Sequence, residues 1–230
     1  MFIYYVFVDV VYSLYVFYLM AKHRSLPARY VHILKKTKNP VVLISGIGFT
    51  WAVLISLGDY LLAKGYPVYF VPDLGNNLYS IPHSARIVKE LIKREAIENV
   101  VLFGHSKGGL IAKYLMAYLN GDGKVLGSVS FATPYSGSIL ANFSPFRSSR
   151  EFRPKSEIIL KLAKETKINK KIISLMPTID TVVWGKNKSF LAGALDNQVL
   201  KVNGHIYPIF SKELFEKVAE SIERISKLDD

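Results

Sequence analysis

Short apolar runs alternate along this chain with longer segments in which apolar residues recur every three or four positions. Each run has the length and the continuous hydrophobicity of a strand that is buried on both faces. The predicted strands are Pro40–Ser45, Tyr66–Val71, Asn99–Phe103, Lys124–Phe131, Ile172–Met176 and Val199–Val202. The segments between them predict helices that begin near Thr50, Ser80, Leu110 and Ser211. This alternation favours an α/β fold with a mostly parallel central sheet and helices on both faces.

Residues 135–171 interrupt the alternation and predict an excursion from the sheet. The segment contains Gly137, Pro145 and Pro154, and its one short helical run is Glu157–Thr166. We expect it to form a cap or lid over a site. Its many lysines and arginines fit a solvated face at least as well as a face that meets lipid.

The first 21 residues are almost wholly apolar and rich in Tyr and Phe. A helix of this length crosses a bilayer once. The chain start lacks a basic residue and no small-residue cleavage site follows, so a signal peptide fits poorly. We therefore expect a membrane-anchor helix over residues 1–21, a basic juxtamembrane linker over 22–39 and one folded domain over 40–230. The alternative is a buried N-terminal helix of the domain itself.

Asp9 is the charged side chain within this apolar stretch, and a carboxylate near the middle of a bilayer is costly. Tyr5, Asp9 and Tyr12 lie about one helical turn apart, so they predict one polar stripe. Such a stripe fits against a partner helix or at the membrane interface.

Basic residues follow the apolar stretch directly: Lys22, His23, Arg24, Arg29, Lys35, Lys36 and Lys38. By the positive-inside tendency, this flank and the domain after it lie on the cytoplasmic side. The cluster also predicts binding to anionic lipid head groups, which gives the formal net charge of +12 a membrane explanation. No recognised nucleic-acid-binding motif accompanies the charge, so we expect no nucleic-acid partner.

The segment Gly104–Gly109, with the sequence GHSKGG, predicts a nucleophile. It lies between a predicted strand and a predicted helix, which is the context of a nucleophile elbow. Glycines on both sides of Ser106 leave room for backbone where a Cβ would clash, and the tight turn holds the hydroxyl at the end of the sheet. Ser106 is therefore the candidate nucleophile.

A serine nucleophile of this kind needs an acid and a histidine base, which follow it in the chain order Ser, Asp or Glu, His. His205 is the one histidine late in the chain, in a loop between the last predicted strand and the final helix. Asp180 follows an apolar strand and Asp196 is the competing acid. The strand-end position favours Asp180 as the acid that orients His205.

Backbone N–H groups are needed to hold the oxyanion of an acyl-transfer intermediate. We predict one donor on Lys107, directly after the nucleophile, and the second on Ile47, in the glycine-flanked turn after the first strand. The Lys107 ammonium itself is expected to be solvated. The chain has no cysteine and no histidine pair with metal-ligand spacing, so we expect no metal site.

Several ordered matches resemble the lipase and esterase branch of the α/β-hydrolase superfamily, close to small bacterial-type triacylglycerol lipases and related deacylases. The matching segments are Pro40–Gly48, Gly104–Gly109, Ala132–Ser138, Ile179–Val183 and Gly204-His205. The resemblance runs from Pro40 to the C-terminus. It implies the α/β-hydrolase fold, a carboxylic-ester substrate, no cofactor, and Ser106, Asp180 and His205 as the catalytic triad.

Two features depart from the pattern of these lipases. Ser45 stands where they usually carry histidine before glycine, which affects the support of the oxyanion loop rather than the donor itself. The N-terminal apolar stretch has no counterpart in the small secreted lipases, so the natural substrate stays open.

Together these patterns predict a membrane-anchored serine hydrolase that cleaves carboxylic, lipid-like esters through an acyl-enzyme intermediate. Two other functions stay open on the sequence alone. An acyltransferase would use the same triad with an alcohol in place of water, and a non-catalytic membrane scaffold would keep only the fold.

Overall fold

The computed structural model describes residues 1–30, 38–143, 147–185 and 188–228. Lys35 and Lys36 of the basic flank, and Pro145 of the predicted cap, lie outside these ranges. Within them, six strands form one sheet: β1 (Val41–Ile44), β2 (Val68–Phe70), β3 (Val100–His105), β4 (Val125–Phe131), β5 (Ile172–Ile179) and β6 (Asp196–Asn203). Their order across the sheet is β2-β1-β3-β4-β5-β6, and every neighbouring pair is parallel. The predicted parallel sheet is confirmed.

Six α-helices accompany these strands in the described ranges: α1 (Phe2–Lys22), α2 (Ile55–Ala63), α3 (Ile81–Arg94), α4 (Lys107–Tyr118), α5 (Glu157–Lys164) and α6 (Lys212–Ser226). A 3₁₀ helix, Trp51–Leu54, precedes α2. Thr50, Ser80 and Ser211 each accept a hydrogen bond from a backbone N–H in the following turn. These side chains satisfy donors that the first turn leaves unpaired, as the sequence predicted.

The two faces of the sheet carry separate hydrophobic cores, because consecutive strand residues point to opposite sides. On β1, Val41 and Leu43 belong to one core, and Val42 and Ile44 belong to the other. α2, α6 and part of α1 cover the first core, and α3, α4 and α5 cover the second. Since β1 is buried on both faces, its sequence is a continuous apolar run.

Two elements begin earlier than the sequence predicted. β6 starts at Asp196 rather than Val199, because the first residues of this edge strand are only partly buried and form no apolar run. α4 starts at Lys107 rather than Leu110, because Gly108 and Gly109 are poor helix formers and weaken the helical signal.

The predicted excursion leaves the sheet between β4 and β5, which are neighbouring strands. Its described part holds α5 and the 3₁₀ helices Ile139–Asn142, Arg147–Phe152 and Lys167–Lys171. No strand lies in this described part, so the segment adds nothing to the sheet. It lies between the carboxyl end of β4 and the start of β5.

α1 packs on the domain along one side and presents apolar side chains on the other. Among the described residues, it is the one helix of at least 18 residues that is apolar enough to cross a bilayer. Val16 and Leu19 are buried, and the ring of Tyr12 lies 4.9 Å from the ring of Tyr207, measured between centroids. By contrast, Ile3, Phe7 and Leu14 are exposed.

The strand order places a crevice between β1 and β3. The chain leaves β1 toward β2 at one edge and then returns to β3 on the other side of β1. Parallel α/β sheets bind ligands outside the carboxyl ends of the strands at such a switch point. The loop after β1 and the turn after β3 meet there.

Candidate active site

Ser106 occupies the turn between β3 and α4 in a conformation that L-residues rarely adopt. Its backbone has φ 54° and ψ −117°. The N–H of Ser106 donates to Phe131 O on β4 at 2.8 Å, and its carbonyl accepts from Thr133 Oγ1 at 3.0 Å. Both contacts hold the strained peptide in place, because a conformation of this kind persists only where its surroundings fix it.

Glycines allow the backbone to approach closely on both sides of Ser106. A Cβ on Gly104 would lie 2.4 Å from the carbonyl carbon of Gly108, and a Cβ on Gly108 would lie 2.3 Å from Ile44 O. Real Cβ atoms do not approach other heavy atoms this closely. The predicted strand–turn–helix arrangement is therefore present, with the glycines where the packing requires them.

The structure brings Asp180 and His205 together. Asp180 lies directly after β5, and His205 lies two residues after β6. His205 Nδ1 is 3.1 Å from Asp180 Oδ1 and 3.2 Å from Oδ2, and both side chains are buried. Oδ1 also accepts hydrogen bonds from the backbone N–H groups of Val182 and Val183, each at 2.8 Å. These contacts fix the carboxylate against the imidazole.

Asp196, the competing acid, lies elsewhere. It is the first residue of β6, and its Oδ2 accepts from Arg224 Nη1 at 2.6 Å and from Gln198 Nε2 at 2.9 Å. The ion pair with Arg224 is partly exposed. Asp180 therefore contacts the histidine, whereas Asp196 contacts an arginine of α6.

Opposing effects act on the pKa of His205. Burial lowers it, whereas the charge of Asp180, the hydrogen bond to Asp180 and the charge of Asp9 raise it. The attractive effects prevail, so that the pKa lies above the ordinary value of 6.5. An imidazole in this setting accepts a proton readily, which is the requirement for a base.

Every polar group of His205 except Nε2 has a partner within the described structure. Its N–H donates to Asp9 Oδ2 at 2.6 Å, its carbonyl oxygen lies 3.1 Å from His105 Nε2, and Nδ1 contacts Asp180. Since a carbonyl oxygen only accepts, His105 donates from Nε2–H. Ser106 Oγ likewise has no hydrogen-bond partner in the described ranges. The Ser106 hydroxyl and one imidazole nitrogen are therefore without partners among the described residues, and no hydrogen bond joins the two to each other.

His105 is neutral and contacts the loop that carries His205. Burial and the proximity of His205 lower its pKa to about 3, while its hydrogen bond to the His205 carbonyl acts in the opposite direction. Its ring lies between those of Phe49 and Phe131, at centroid distances of 6.5 and 6.1 Å. The contact of His105 with the His205 carbonyl was not foreseen from the sequence.

The loop after β1 passes against the nucleophile. A Cβ on Gly46 would lie 3.3 Å from Ser106 Cβ. Ser45 Oγ donates to Phe49 O at 2.9 Å, and Ser45 O accepts from Asn77 Nδ2 at 2.7 Å. Ser45 thus closes the loop internally, in the position where the resembling lipases usually carry histidine.

The N–H groups of Ile47 and Lys107 have no hydrogen-bond acceptor among the described residues. Ile47 and Ser106 line the same cavity, and Lys107 is the first residue of α4. The first N–H groups of a helix carry partial positive charge and bind anions. Both predicted donors are therefore available for a ligand oxygen.

The Lys107 side chain is buried, so the expectation that it is solvated is wrong. Its ammonium donates to Asn77 O at 2.8 Å and also to Tyr79 O. Burial lowers its pKa to about 8, and the charge of Glu151 acts in the opposite direction. Both carbonyl oxygens belong to the loop of residues 72–80, and they take the place of water around the ammonium.

An apolar cavity of about 410 Å³ opens beside Ser106. Residues from the loop after β1, the loop of residues 72–80, the segment after β4 with the predicted cap, and the segment after Asp180 line it: Ile47, Gly48, Leu78, Pro134, Ser138, Leu140, Ala141, Ser148, Ser149, Phe152, Val182 and Val183. The predicted cap segment therefore forms part of the cavity wall. No group of three or more metal-binding side chains occurs within the described ranges.

The sequence missed one further residue of this region. Asp9 of α1 is buried and contacts the loop that carries His205. The isolated charge in an apolar helix was the sequence feature that indicated it. We assigned that charge to a polar stripe, but expected the stripe to meet a partner helix or the membrane interface rather than the domain.

Comparisons with known proteins bear on the fold. No family model matches the chain. Among solved structures, the mature form of a Bacillus licheniformis lipase superposes with a TM-score of 0.65 at 15% identity, covering 82% of this chain and 93% of the lipase. The chain has the α/β-hydrolase fold. The predicted fold class is thereby confirmed.

Two other structures with this hydrolase fold are similar. An α/β-hydrolase enzyme from a sediment metagenome of the Mar Chica lagoon, Morocco, gives a TM-score of 0.60 at 21% identity over 85% of this chain and 94% of that one. A membrane phospholipase A described as a bacterial virulence factor gives 0.54 at 13% identity, over 84% and 81%. At these identities, the similarity establishes the hydrolase fold.

Proposed function

We propose that this chain is a serine esterase that hydrolyses carboxylic esters with apolar acyl groups through an acyl-enzyme. Ser106 is the nucleophile, His205 the general base and Asp180 the carboxylate that orients it. The observation that carries the proposal is the contact of His205 Nδ1 with the buried Asp180 carboxylate, which leaves Nε2 as the one polar group of His205 without a partner in the described structure.

In the first half-reaction, Ser106 Oγ attacks the ester carbonyl carbon while His205 Nε2 takes the hydroxyl proton. The Oγ–C bond forms and the carbonyl electrons move onto oxygen. As the tetrahedral intermediate collapses, the C–O bond to the alcohol breaks and the imidazolium returns its proton to the departing alkoxide. Water then repeats the sequence against the acyl-enzyme and releases the acid.

The N–H groups of Ile47 and Lys107 stabilise the oxyanion. Neither group has a protein acceptor in the described structure, and they come from the two loops that meet at the switch point. Hydrogen bonds that strengthen as negative charge develops lower the barrier by about 3 kcal/mol for each donor. Because the donors are backbone groups, they remain when either side chain is replaced.

The cavity supports an apolar acyl group as the preferred substrate portion. Its wall beside Ser106 contains Leu78, Leu140, Phe152 and Val183 and carries no charged side chain in the described ranges. Structures that share the fold include one named as a lipase and one named as a membrane phospholipase A. These features favour lipid-like esters.

A fluorophosphonate probe tests the reaction directly. We expect it to label the wild-type chain, and Ser106→Ala to abolish both labelling and hydrolysis of p-nitrophenyl esters. The matched control is Ser56→Ala, which removes a serine of α2 outside the site and should leave labelling intact. Labelling that persists in Ser106→Ala would remove Ser106 from its role.

We further propose that α1 holds the enzyme at a membrane surface with its axis along the interface. Its domain-facing side includes Asp9, Val16 and Leu19, and an opposite stripe of apolar side chains is exposed: Ile3, Phe7, Val10, Leu14 and Phe17. Lys22 and Arg24 are exposed at its C-terminal end and supply charge for anionic head groups. The cytoplasmic side remains the predicted location of the domain.

Co-sedimentation with phosphatidylcholine vesicles, with and without phosphatidylglycerol, tests this arrangement. We expect binding that is stronger with the anionic lipid and weakened when Ile3, Phe7 and Leu14 are replaced by serine. Val199→Ser, which removes an exposed apolar side chain of β6, serves as the control and should bind as the wild type does. Equal binding by both variants would contradict a role for the α1 stripe.

A further inference from the structure

Asp9, the charged residue in the middle of α1, is almost fully engaged by the domain. Only 6% of its surface is exposed. Oδ2 accepts from His205 N at 2.6 Å and from the Thr181 hydroxyl, and Oδ1 accepts from the backbone N–H groups of Ile206 at 3.0 Å and Tyr207 at 2.8 Å. Four donors thus replace water around a carboxylate in an apolar helix, which makes its burial tolerable.

Gly204 permits this contact. Its φ is +107°, and a Cβ at this position would lie 2.6 Å from Asp9 Oδ1. Any side chain there would strain the backbone and displace the carboxylate. Glycine before His205 therefore leaves the space that the Asp9 carboxylate occupies.

Asp9 joins the two loops that carry the base and the acid. One of its donors is the N–H of His205 itself, and another is the hydroxyl of Thr181, which follows Asp180 directly. His105 holds the carbonyl of His205 from the opposite side. The backbone of His205 is thus held at its N–H by Asp9 of α1 and at its carbonyl by His105 of β3.

We propose that Asp9 is a positioning residue of the active site, so that α1 belongs to the catalytic apparatus as well as to the attachment of the chain. This inference rests on the proposed esterase function, because Asp9 acts by way of His205. Displacement of a reacting group by about 1 Å costs a rate factor on the order of 100. A chain whose α1 leaves the domain loses the carboxylate and with it the placement of the base.

Asp9→Asn tests the role with little change in size. One carboxylate oxygen becomes an amide NH₂, which donates and therefore opposes the N–H groups that it faces. We expect kcat for p-nitrophenyl esters and the rate of fluorophosphonate labelling to fall roughly 10- to 100-fold, with KM nearly unchanged, because the cavity wall is intact. Circular dichroism verifies folding.

The pH profile supplies a readout that a merely structural role would not change. Asp180, Asp9 and the neutral His105 face His205, and the charge of Asp9 favours the protonated imidazole. Removing that charge lowers the pKa of His205. Since the base acts when neutral, we expect the acidic limb of kcat/KM to move to lower pH in Asp9→Asn.

Val16→Ala is the matched control. Val16 is fully buried on the same side of α1, and its side chain makes none of the hydrogen bonds to the His205 loop, so its truncation weakens the packing of α1 and leaves the Asp9 hydrogen bonds in place. We expect a lower Tm with wild-type kcat and an unmoved acidic limb. The same loss of kcat in Val16→Ala and Asp9→Asn would overturn the positioning role, because docking of α1 alone would explain both.

Two further outcomes separate this inference from the proposed function. If the probe labels the wild type and Asp9→Asn reacts at the wild-type rate, the role of Asp9 alone is overturned. If the wild type reacts with neither the probe nor the ester, both the esterase function and the role of Asp9 are overturned. Should Asp9→Asn fail to fold, Thr181→Val removes one of the four donors with little change in shape. We then expect a several-fold loss of kcat, and wild-type kcat would contradict the proposal.

Discussion

At the scale of single residues, the turn that presents Ser106 depends on the absence of a side chain at position 108. A Cβ on Gly108 would lie 2.3 Å from Ile44 O, and both atoms belong to backbone that the sheet and α4 hold in place. We expect Gly108→Ala to reduce the free energy of unfolding by about 1–3 kcal/mol and to abolish probe labelling. Urea denaturation measures the first effect.

Gly121→Ala is the control for this substitution. Gly121 lies in a turn with open space around its Cβ position, so the change should alter stability by no more than about 0.5 kcal/mol. Similar losses in both variants would mean that the close approach of β1 to α4 is not the cause.

The proposed base, His205, predicts a defined pH dependence. Burial lowers its pKa, but the Asp180 charge, the hydrogen bond to Asp180 and the Asp9 charge together raise it above 6.5, and a base acts when deprotonated. We expect kcat/KM to rise through an acidic limb above pH 6.5. Asp180→Asn removes the charge and should move this limb to lower pH while reducing kcat, as measured by initial rates across buffers of constant ionic strength. If the acidic limb does not move in Asp180→Asn, the limb reports the titration of another group.

The sequence led to Ser106, Asp180 and His205 because each lies where a strand ends, a position visible in the hydropathy pattern. Their catalytic roles stay predictions. Asp9 and His105 were not assigned to the site because their contacts with the His205 loop join residues 196 and 100 positions apart. No local pattern encodes a contact of that range, although the lone carboxylate in an apolar helix indicated that some polar partner had to exist.

At the scale of elements, Lys107 ties the start of α4 to the loop that carries Leu78 of the cavity wall. Its pKa is lowered by burial to about 8 from 10.5. Between these values the unfolded chain binds more protons than the folded chain, so stability attributable to Lys107 rises with pH across this window. Lys107→Met removes that contribution.

Chemical denaturation at about pH 7.5 and about pH 9.5 measures this difference. We expect the gain in stability with pH to be smaller in Lys107→Met than in the wild type. Lys212→Met, which removes an ammonium from a side chain that is 83% exposed, should keep the wild-type slope. A slope unchanged in Lys107→Met would show that the folded protein does not disfavour protonated Lys107.

Elements buried on both faces were easier to predict than those at the edge. The runs that form β1, β3 and β4 are buried along their whole length and mostly apolar, because helices cover both sides of the sheet. β6 pairs only with β5, and its first four residues are partly buried or exposed, so its start was missed. Gly108, which shapes the turn at Ser106, also weakens the helical pattern together with Gly109, so the start of α4 was missed.

At the scale of the whole molecule, α1 brings together the surface that we propose meets a membrane and the proposed catalytic site. Its apolar stripe faces outward, while Asp9 on the other side contacts the His205 loop. Phe2 packs against Trp184 with ring centroids 5.6 Å apart, close to Val182 of the cavity wall. In the membrane arrangement that we propose, the N-terminal end of α1 therefore lies beside the segment that carries this part of the cavity wall.

The most direct measurement is the site and stoichiometry of acylation. A pre-steady-state reaction with a p-nitrophenyl ester, quenched with acid and digested, locates the acyl group by peptide mass spectrometry. The account predicts a burst of one p-nitrophenolate for each chain and a single acylated peptide modified at Ser106, absent in Ser106→Ala. Acylation at another residue, or hydrolysis without any acylated peptide, would contradict it.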